Sequence, residues 1–164
     1  MLRYFNPVGA HISGMIGESP KKKFENIVPN ITETAIGNRK EFIVFGDNYK
    51  TRDGSCVRDY VHVSDIAMAH VLALKYLTEK KNKSNHEIFN LGTGKGVSVL
   101  ETIKAFEKIS GVKLNYKIGN QREGDVEAIY SDCTKARKLL GWKTKYDIEK
   151  MMESAWKWQL NNKR

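Results

Sequence analysis

Two short segments hold the residues best suited to bind a ligand. In residues 53–63, an Asp-Gly turn leads into an apolar, β-rich stretch that contains Arg58. The second segment is Arg122-Glu123-Gly124-Asp125. Charge among apolar residues is costly without a partner, so Arg58 either pairs with Asp53, Asp59 or a neighbouring loop, or binds an anion. Two arginines, each close to an acid, favour a diphosphate clamped from two sides, because the guanidinium fork matches phosphate oxygens in pairs.

A glycine-rich turn over residues 92–96 lies between a predicted strand and a predicted helix, where a phosphate-binding turn would lie. It lacks the Gly-x-Gly-x-x-Gly dinucleotide fingerprint and the Lys-Ser/Thr of a P-loop. Two interpretations therefore stay open, a phosphate site or a tight turn under a helix.

Histidine and cysteine positions argue against a metal site. The four histidines lie in separate elements without ligand spacing, and we interpret His62 as a satisfied strand residue. The two cysteines show no paired spacing, and no signal peptide is visible, so free thiols in a reducing cytoplasm are expected. These residues are His11, His62, His70, His86, Cys56 and Cys133.

The size and charge of the chain limit its class. With 164 residues, a single domain over 1–164 is expected. The net charge is +9, yet the lysines are scattered without the aromatic interleaving of a single-strand binder, which argues against a nucleic-acid partner. Lys21-Lys22-Lys23 is interpreted as a solvated loop. No apolar stretch reaches the roughly 20 residues of a membrane helix, so no membrane partner is expected.

Hydrophobic periodicity and capping residues predict an α/β fold with a mixed or parallel sheet. The predicted strands cover residues 2–5, 42–45, 87–91 and 115–118, with Asn6-Pro7 ending the first and a β-rich stretch within 53–63. The predicted helices cover residues 26–36, 64–77, 98–110, 132–140 and 147–160, with capping residues at Ser64, Ser98, Asp132 and Asp147.

Four motifs in order resemble the UDP-glucose 4-epimerase branch of the extended short-chain dehydrogenase/reductase family. They are Arg3-Tyr4-Phe5-Asn6-Pro7-Val8-Gly9-Ala10, Asp53-Gly54-Ser55-Cys56-Val57-Arg58-Asp59-Tyr60-Val61-His62-Val63, Phe89-Asn90-Leu91-Gly92-Thr93-Gly94 and Arg122-Glu123-Gly124-Asp125. The resemblance covers essentially this whole chain but only the carboxyl-terminal half of such an enzyme. It implies the nucleotide-sugar-binding portion of the fold, without most of the Rossmann domain.

The resemblance also implies roles for individual residues. Arg58 and Arg122 match the diphosphate ligands, and Asp125 matches the acceptor for a ribose hydroxyl. Tyr4 and Phe5 match residues that touch the nicotinamide end of NAD, most of which is bound by the other half. The remaining matches contact UDP-glucose or UDP-galactose. Ile43 and Phe45 match contacts to the uracil, and Val99 matches a contact to the uridine portion. Asn6, Asn26 and Ile27 match contacts to the hexose and phosphates, and Ile129 matches a residue beside the second carbon of the sugar.

The reaction of the resembled enzymes uses bound NAD to oxidise the 4-hydroxyl of the hexose, and it needs a Tyr-x-x-x-Lys pair. Tyr146 and Lys150 have this spacing, but we interpret the pair as surface, so no catalytic residue is expected in this chain. A truncated epimerase is therefore predicted. The alternatives are a UDP-sugar-binding module, half of a split enzyme, or a related nucleotide-sugar decarboxylase or dehydratase. Homodimers are usual in the family.

Overall fold

The computed structural model describes residues 1–19 and 25–162, so the prediction for Lys21-Lys22-Lys23 lies outside the described residues. The helices in this part of the chain are α1 (Ile27–Ala35), α2 (Val63–Thr78), α3 (Val99–Ser110) and α4 (Ile148–Asn161). The strands are β1 (Leu2–Tyr4), β2 (Asn6–Val8), β3 (Phe42–Phe45), β4 (Val57–Arg58), β5 (Tyr60–His62), β6 (Phe89–Leu91), β7 (Val97–Ser98), β8 (Tyr116–Gly119) and β9 (Ala128–Ile129). The alternation of strands and helices confirms the predicted α/β class.

The strands form small sheets in which parallel pairing predominates. Parallel pairs join β1 to β6, β2 to β5 and β3 to β8. Strand β4 lies between β7, which is antiparallel to it, and β9, which is parallel. Parallel neighbours need long crossover connections, so each of these pairs joins segments that are distant in sequence.

Strand β2 corrects the prediction that Asn6-Pro7 ends the first strand. The chain bends at Phe5 and continues as β2, in which Pro7 lies opposite Val61. Proline lacks an amide hydrogen and is tolerated in a strand that pairs on one side only, as β2 does here. The short strands β7 and β9 were also missed, because two residues carry no readable periodicity.

The starts of α3 and α4 are as predicted. The Ser98 hydroxyl accepts from the Glu101 amide, and the Glu101 carboxylate accepts from the Ser98 amide at 2.9 Å, which is a complete capping box. Asp147 caps α4 by accepting from the Lys150 amide at 2.9 Å.

Helix α2 begins one residue before the predicted cap Ser64. Its N-cap is His62, whose Nδ1 accepts from the Ser64 amide at 3.0 Å. The prediction of Ser64 as the cap was wrong because a buried imidazole nitrogen provides the same acceptor. The segment predicted as a helix over 132–140 contains a π-helical turn at Ala136–Leu140, which ends at Gly141.

Two hydrophobic clusters form the core. One lies between α1, β3, α3 and α4, where the Phe106 ring packs edge-on against Trp156 with the ring centroids 5.3 Å apart. The other lies beneath α2 and is centred on Trp142, whose indole nitrogen donates to the Asp65 carbonyl at 2.8 Å. Both clusters stabilise the ends of the strands that carry the predicted site residues.

Candidate functional site

A cavity of about 210 Å³ brings together all of the predicted substrate contacts except Ile129. We call it the arginine cavity. Its walls come from β2, from β3 and β4, and from the starts of α1 and α3. The lining residues are Asn6, Glu25, Asn26, Ile27, Asn30, Phe42, Ile43, Phe45, Cys56, Arg58, Tyr60, Val99, Arg122 and Asp125. Segments as far apart in sequence as Asn6 and Asp125 therefore meet at one site.

Asp125 lies between the two arginines. The Arg58 guanidinium donates to Asp125 Oδ1 at 3.2 Å, and the Arg122 guanidinium donates to both oxygens of Asp125, at 2.9 and 3.2 Å. Arg58 also donates to the carbonyl of Val126 at 2.6 Å. Arg58 is thus paired with Asp125 and not with Asp53 or Asp59. Two guanidinium groups share one carboxylate, so these three side chains together carry a net charge of +1, which favours an anion, although the acidic Glu25 also lines the cavity.

Phe45 gives the arginine cavity an apolar wall next to this charge. The Arg122 guanidinium carbon lies 4.6 Å from the Phe45 ring centroid, over the face of the ring. Ile43 lies two residues earlier on β3 and lines the cavity as well. The arrangement offers a flat apolar surface within reach of paired guanidinium donors, which suits a base joined to a phosphate.

Cys56, Arg58 and Tyr60 line the arginine cavity at alternate positions of the segment formed by residues 53–63. Sequence reasoning selected only Arg58, although the two-residue period of an extended chain would have indicated all three. Burial raises the pKa of Tyr60 to about 12, so its hydroxyl stays protonated at neutral pH. Cys56 is a buried free thiol, as predicted.

A second, larger cavity of about 660 Å³ adjoins the first, and we call it the loop cavity. The two cavities share Asn6, Asn26 and Ile27, so they lie side by side, and we call the pair the cleft. The loop cavity is lined by Phe5, Asn6, Pro7, Val8, Gly9, Ala10, His11, Ile16, Gly17, Glu18, Asn26, Ile27, Val63, Ser64 and Ala67. An elongated ligand with an anionic centre would fit across both.

Four predicted contacts differ in where they lie or in what they bond to. Phe5 lines the loop cavity, whereas Tyr4 is half exposed on β1 and lines neither cavity. Ile129 lies on β9 directly opposite Arg58 in the parallel pair, and it lines neither cavity. Asn26 is the N-cap residue of α1, but its side chain makes no capping bond and donates instead to Glu18 at 2.8 Å.

The glycine-rich turn over 92–96 is bound to an internal carboxylate. The buried Asp59 carboxylate accepts from the amides of Thr93 and Gly94, at 2.7 and 3.1 Å, and from the Thr93 hydroxyl at 2.6 Å. The Ser131 amide and hydroxyl donate to it as well, at 3.0 and 2.6 Å. These amides are therefore not directed at a phosphate, and the tight turn is the interpretation that the geometry favours.

Gly54 lies in the turn at the start of residues 53–63, where there is no room for a side chain. Its φ is +80°, and a Cβ at this position would lie 1.9 Å from the Asp47 carbonyl oxygen. Only glycine fits there without a backbone shift. Asp53 stabilises the same turn by accepting from the Ser55 amide at 3.0 Å. The turn sets the direction in which the chain enters β4.

His62 is buried between the loop cavity and α4, and it is a satisfied strand residue as predicted. Its Nε2 lies 3.1 Å from the Ser154 hydroxyl, and its ring packs against Tyr146 with the centroids 4.2 Å apart and the ring planes tilted by 33°. Burial, with a smaller contribution from His11, lowers the pKa of His62 to about 4. The neutral imidazole donates through Nε2 and accepts through Nδ1.

Neither Tyr-x-x-x-Lys spacing lies at the cavities. The interpretation of Tyr146 and Lys150 as a surface pair was wrong for the tyrosine, because its half-buried ring packs against His62, whereas Lys150 is exposed. Sequence reasoning overlooked a second pair, Tyr76 and Lys80. The Tyr76 ring is buried in the cluster under α2, and its hydroxyl donates to Glu87 at 3.3 Å. Neither tyrosine lines the two cavities of the cleft.

The family follows from comparison with known proteins. A sequence profile described as GDP-mannose 4,6 dehydratase matches residues 2–155. The chain belongs to this family. Curated relatives include UDP-glucose 4-epimerases of Drosophila melanogaster, 50% identical over 161 residues, and of Haemophilus influenzae, 49% identical over 162 residues. The aligned regions cover 98% and 99% of this chain but 46% and 47% of those relatives. The chain therefore spans about half the length of the curated relatives it matches.

Solved structures agree with this assignment. The UDP-glucose 4-epimerase of Stenotrophomonas maltophila, with bound NAD and formylated UDP-arabinopyranose, has a TM-score of 0.93 and 48% identity. That of Bifidobacterium longum, in complex with NAD+ and UDP, has a TM-score of 0.92 and 48% identity. Each alignment covers 98% of this chain and 47% of the solved chain. The resemblance to UDP-glucose 4-epimerases is confirmed.

Two further properties concern the described residues only. Within 1–19 and 25–162, no cluster of three or more histidine, cysteine or acidic side chains is arranged to hold a metal ion. In the same ranges, no helix combines the length and the apolar character that crossing a membrane would require.

Proposed function

We propose that this chain is the UDP-sugar-binding part of a UDP-glucose 4-epimerase. The observation that carries the proposal is the arginine cavity, where Arg58 and Arg122 share the single carboxylate of Asp125 beside the apolar surface of Phe45. The two guanidinium groups bind the diphosphate of UDP-glucose or UDP-galactose, and Ile43 and Phe45 contact the uracil. Asp125 accepts a hydrogen bond from a ribose hydroxyl, and Val99 borders the uridine.

The hexose extends from the diphosphate into the loop cavity. The residues Asn6, Asn26 and Ile27 support this path, because they line both cavities. Amide side chains both donate and accept, which matches sugar hydroxyls. We propose that Ile129, opposite Arg58 on the neighbouring strand, borders the second carbon of the sugar.

This chain is proposed to contact NAD only at the nicotinamide end of the cofactor. Phe5 gives the loop cavity an aromatic wall, and the exposed ring of Tyr4 lies on the preceding strand, so these two residues would border the nicotinamide. The sequence contains no dinucleotide glycine fingerprint, so most of the NAD contacts are proposed to come from elsewhere. When bound, NAD accepts a hydride from the sugar and returns it. This chain's residues hold the sugar nucleotide in position.

Several broader expectations belong to this proposal. We expect a single domain over 1–164, a cytoplasmic location and no nucleic-acid partner. A binding module without chemistry, or half of a split enzyme, remains the second candidate, favoured by the position of Tyr76 and Tyr146 outside the cleft. A turnover assay separates it from a complete enzyme. The 164-residue chain mixed with UDP-galactose and NAD is expected to form no UDP-glucose, and turnover would show that it holds the catalytic groups.

The binding proposal is tested by titrating UDP-glucose into the 164-residue chain and recording amide chemical shifts by NMR. Shifts are expected around Arg58, Asp125 and Phe45 first, and around Asn6 as well. Residues on the far side of α2, such as Leu74, serve as internal controls. No shift at millimolar UDP-glucose, or shifts that avoid the arginine cavity, would overturn the proposal.

A further inference from the structure

One face of α4 holds the loop that closes the loop cavity. Ser154, Lys157, Trp158 and Asn161 lie three or four residues apart and so share this face. Each contacts backbone atoms of residues 10–18. The Ser154 hydroxyl accepts from the Ala10 amide at 3.1 Å, and Lys157 donates to the carbonyl of residue 12 at 3.1 Å. The Asn161 side-chain amide donates to the Gly14 carbonyl at 3.0 Å. The Trp158 indole nitrogen donates to the Glu18 carbonyl, also at 3.0 Å.

The loop is held closely enough that a side chain at Gly17 would not fit. A Cβ there would lie 2.4 Å from the indole of Trp158. The next residue is Glu18, whose carbonyl accepts from the Trp158 indole nitrogen. Helix α4 therefore determines where the Glu18 side chain begins.

Glu18 fixes the orientation of the Asn26 amide. Its carboxylate accepts from Asn26 Nδ2 at 2.8 Å. Both side chains are exposed, and an ionised carboxylate has no proton to donate, so the amide group turns its nitrogen towards Glu18 while this contact is made. The Asn26 oxygen and the second Nδ2 hydrogen then point away from this contact. Glu18 and Asn26 both line the loop cavity, and Asn26 also lines the arginine cavity.

We propose that Glu18 is a positioning residue that orients Asn26 for the hydroxyl-bearing end of a nucleotide sugar. The inference rests on the proposed function, because it assumes that the nucleotide diphosphate occupies the arginine cavity. Of the two cavities of the cleft, Glu18 lines the loop cavity and not the arginine cavity, so its negative charge lies on the side of the neutral hexose and away from the phosphates. The selectivity it confers is for hydroxyl groups beyond the diphosphate.

The test compares affinities for UDP-glucose and UDP by isothermal titration calorimetry on the 164-residue chain. Glu18→Ala is expected to weaken UDP-glucose binding about fivefold and to change UDP binding by less than about twofold. Glu18→Gln keeps an acceptor oxygen and is expected to restore most of the lost affinity. Glu153→Ala is the matched control, because Glu153 is an exposed carboxylate bonded to Lys150 at 2.6 Å and lies outside both cavities. This control should match the unsubstituted chain for both ligands.

Equal weakening of UDP and UDP-glucose by Glu18→Ala would assign Glu18 a merely structural role and overturn the inference. Unchanged affinity for both ligands would overturn it as well. If the unsubstituted chain binds no UDP, the proposed function fails and the inference fails with it. If Glu18→Ala binds UDP and the ratio of its UDP-glucose affinity to its UDP affinity equals that of the unsubstituted chain, the inference fails and the proposed function stands.

Discussion

Asp125 is the residue through which the arginine cavity is organised. It accepts from Arg58 and from Arg122, and its side chain is mostly buried. A shared carboxylate holds two like charges close together, which a diphosphate requires and which the two arginines would otherwise oppose. The same contact explains why Arg58 is paired without being neutralised. Specificity for a diphosphate therefore depends on the paired N–H donors of the guanidinium groups and not on positive charge alone.

Arg58→Lys tests this point. Lysine keeps the positive charge but cannot make paired hydrogen bonds, so UDP affinity is expected to fall about tenfold while uridine affinity stays unchanged. The measurement is isothermal titration calorimetry with both ligands. Arg52→Lys is the matched control, since Arg52 is an exposed arginine paired with Glu101 and lines neither cavity. Equal UDP affinity in Arg58→Lys and Arg52→Lys would contradict the clamp.

At the scale of elements, two buried polar groups join segments that are far apart in sequence. Asp59 connects the junction of β4 and β5 to the turn at 92–96 and to Ser131. His62 connects β5 to α4 through Ser154. Buried polar groups are costly when unsatisfied, and both are fully bonded here. They therefore fix the positions of elements that carry Arg58 and the loop at residues 10–18.

Asp59→Asn is expected to destabilise the fold by about 3 kcal/mol, because an amide nitrogen would face backbone donors. Urea unfolding measures this free energy. Asp132→Asn is the control, because Asp132 is exposed and accepts from the Thr134 amide at 2.8 Å. Replacing the Asp132 carboxylate is expected to lower the free energy of unfolding by about 1 kcal/mol or less. Equal effects of the two substitutions would show that Asp59 is not a structural centre.

His62 makes stability depend on pH. Its pKa is about 4 in the folded chain, against an ordinary value of 6.5, so the unfolded chain takes up a proton first as the pH falls. The stability linked to the neutral imidazole is complete above about pH 6.5 and is lost towards pH 4, by up to about 3 kcal/mol. Urea unfolding at pH 7 and pH 5 measures the loss.

His62→Gln should remove this part of the pH dependence, although it also lowers stability at pH 7. Subtracting the two pH profiles cancels the contribution of other groups, such as Asp65, whose pKa is raised by burial. His86→Gln, at an exposed histidine, should keep the profile of the unsubstituted chain. A His62→Gln profile parallel to that of His86→Gln would exclude His62 as the cause.

At the scale of the whole molecule, some local signals in the sequence were read correctly, whereas the cap at Ser64 and the pairing of distant strands were not. Ser98 and Glu101 predicted the start of α3 because a capping box is contained within four residues. Strand β2 was missed because its partner, β5, lies more than 50 residues away and Pro7 argues against a strand. The arginine cavity was predicted through the family resemblance. Glu18 was not, because its contact with Asn26 depends on how α4 holds the loop.

The surface of α2 also belongs to this scale. Val71, Leu74 and Leu77 are each more than half exposed along one side of the helix. Isolated apolar residues on a surface are ordinary, but a stripe of this kind favours association. The stripe lies away from both cavities and has no part in the binding proposed above.

Thermal unfolding followed by circular dichroism, with and without UDP-glucose, tests the central claim most directly. If the 164-residue chain folds and binds a nucleotide sugar, it should show one cooperative transition. The midpoint should rise by about 5 °C or more when UDP-glucose is present at about 100 times its dissociation constant. Arg58→Lys should show a smaller rise at the same ligand concentration. The absence of a cooperative transition, or a midpoint that millimolar UDP-glucose leaves unchanged, would contradict the account.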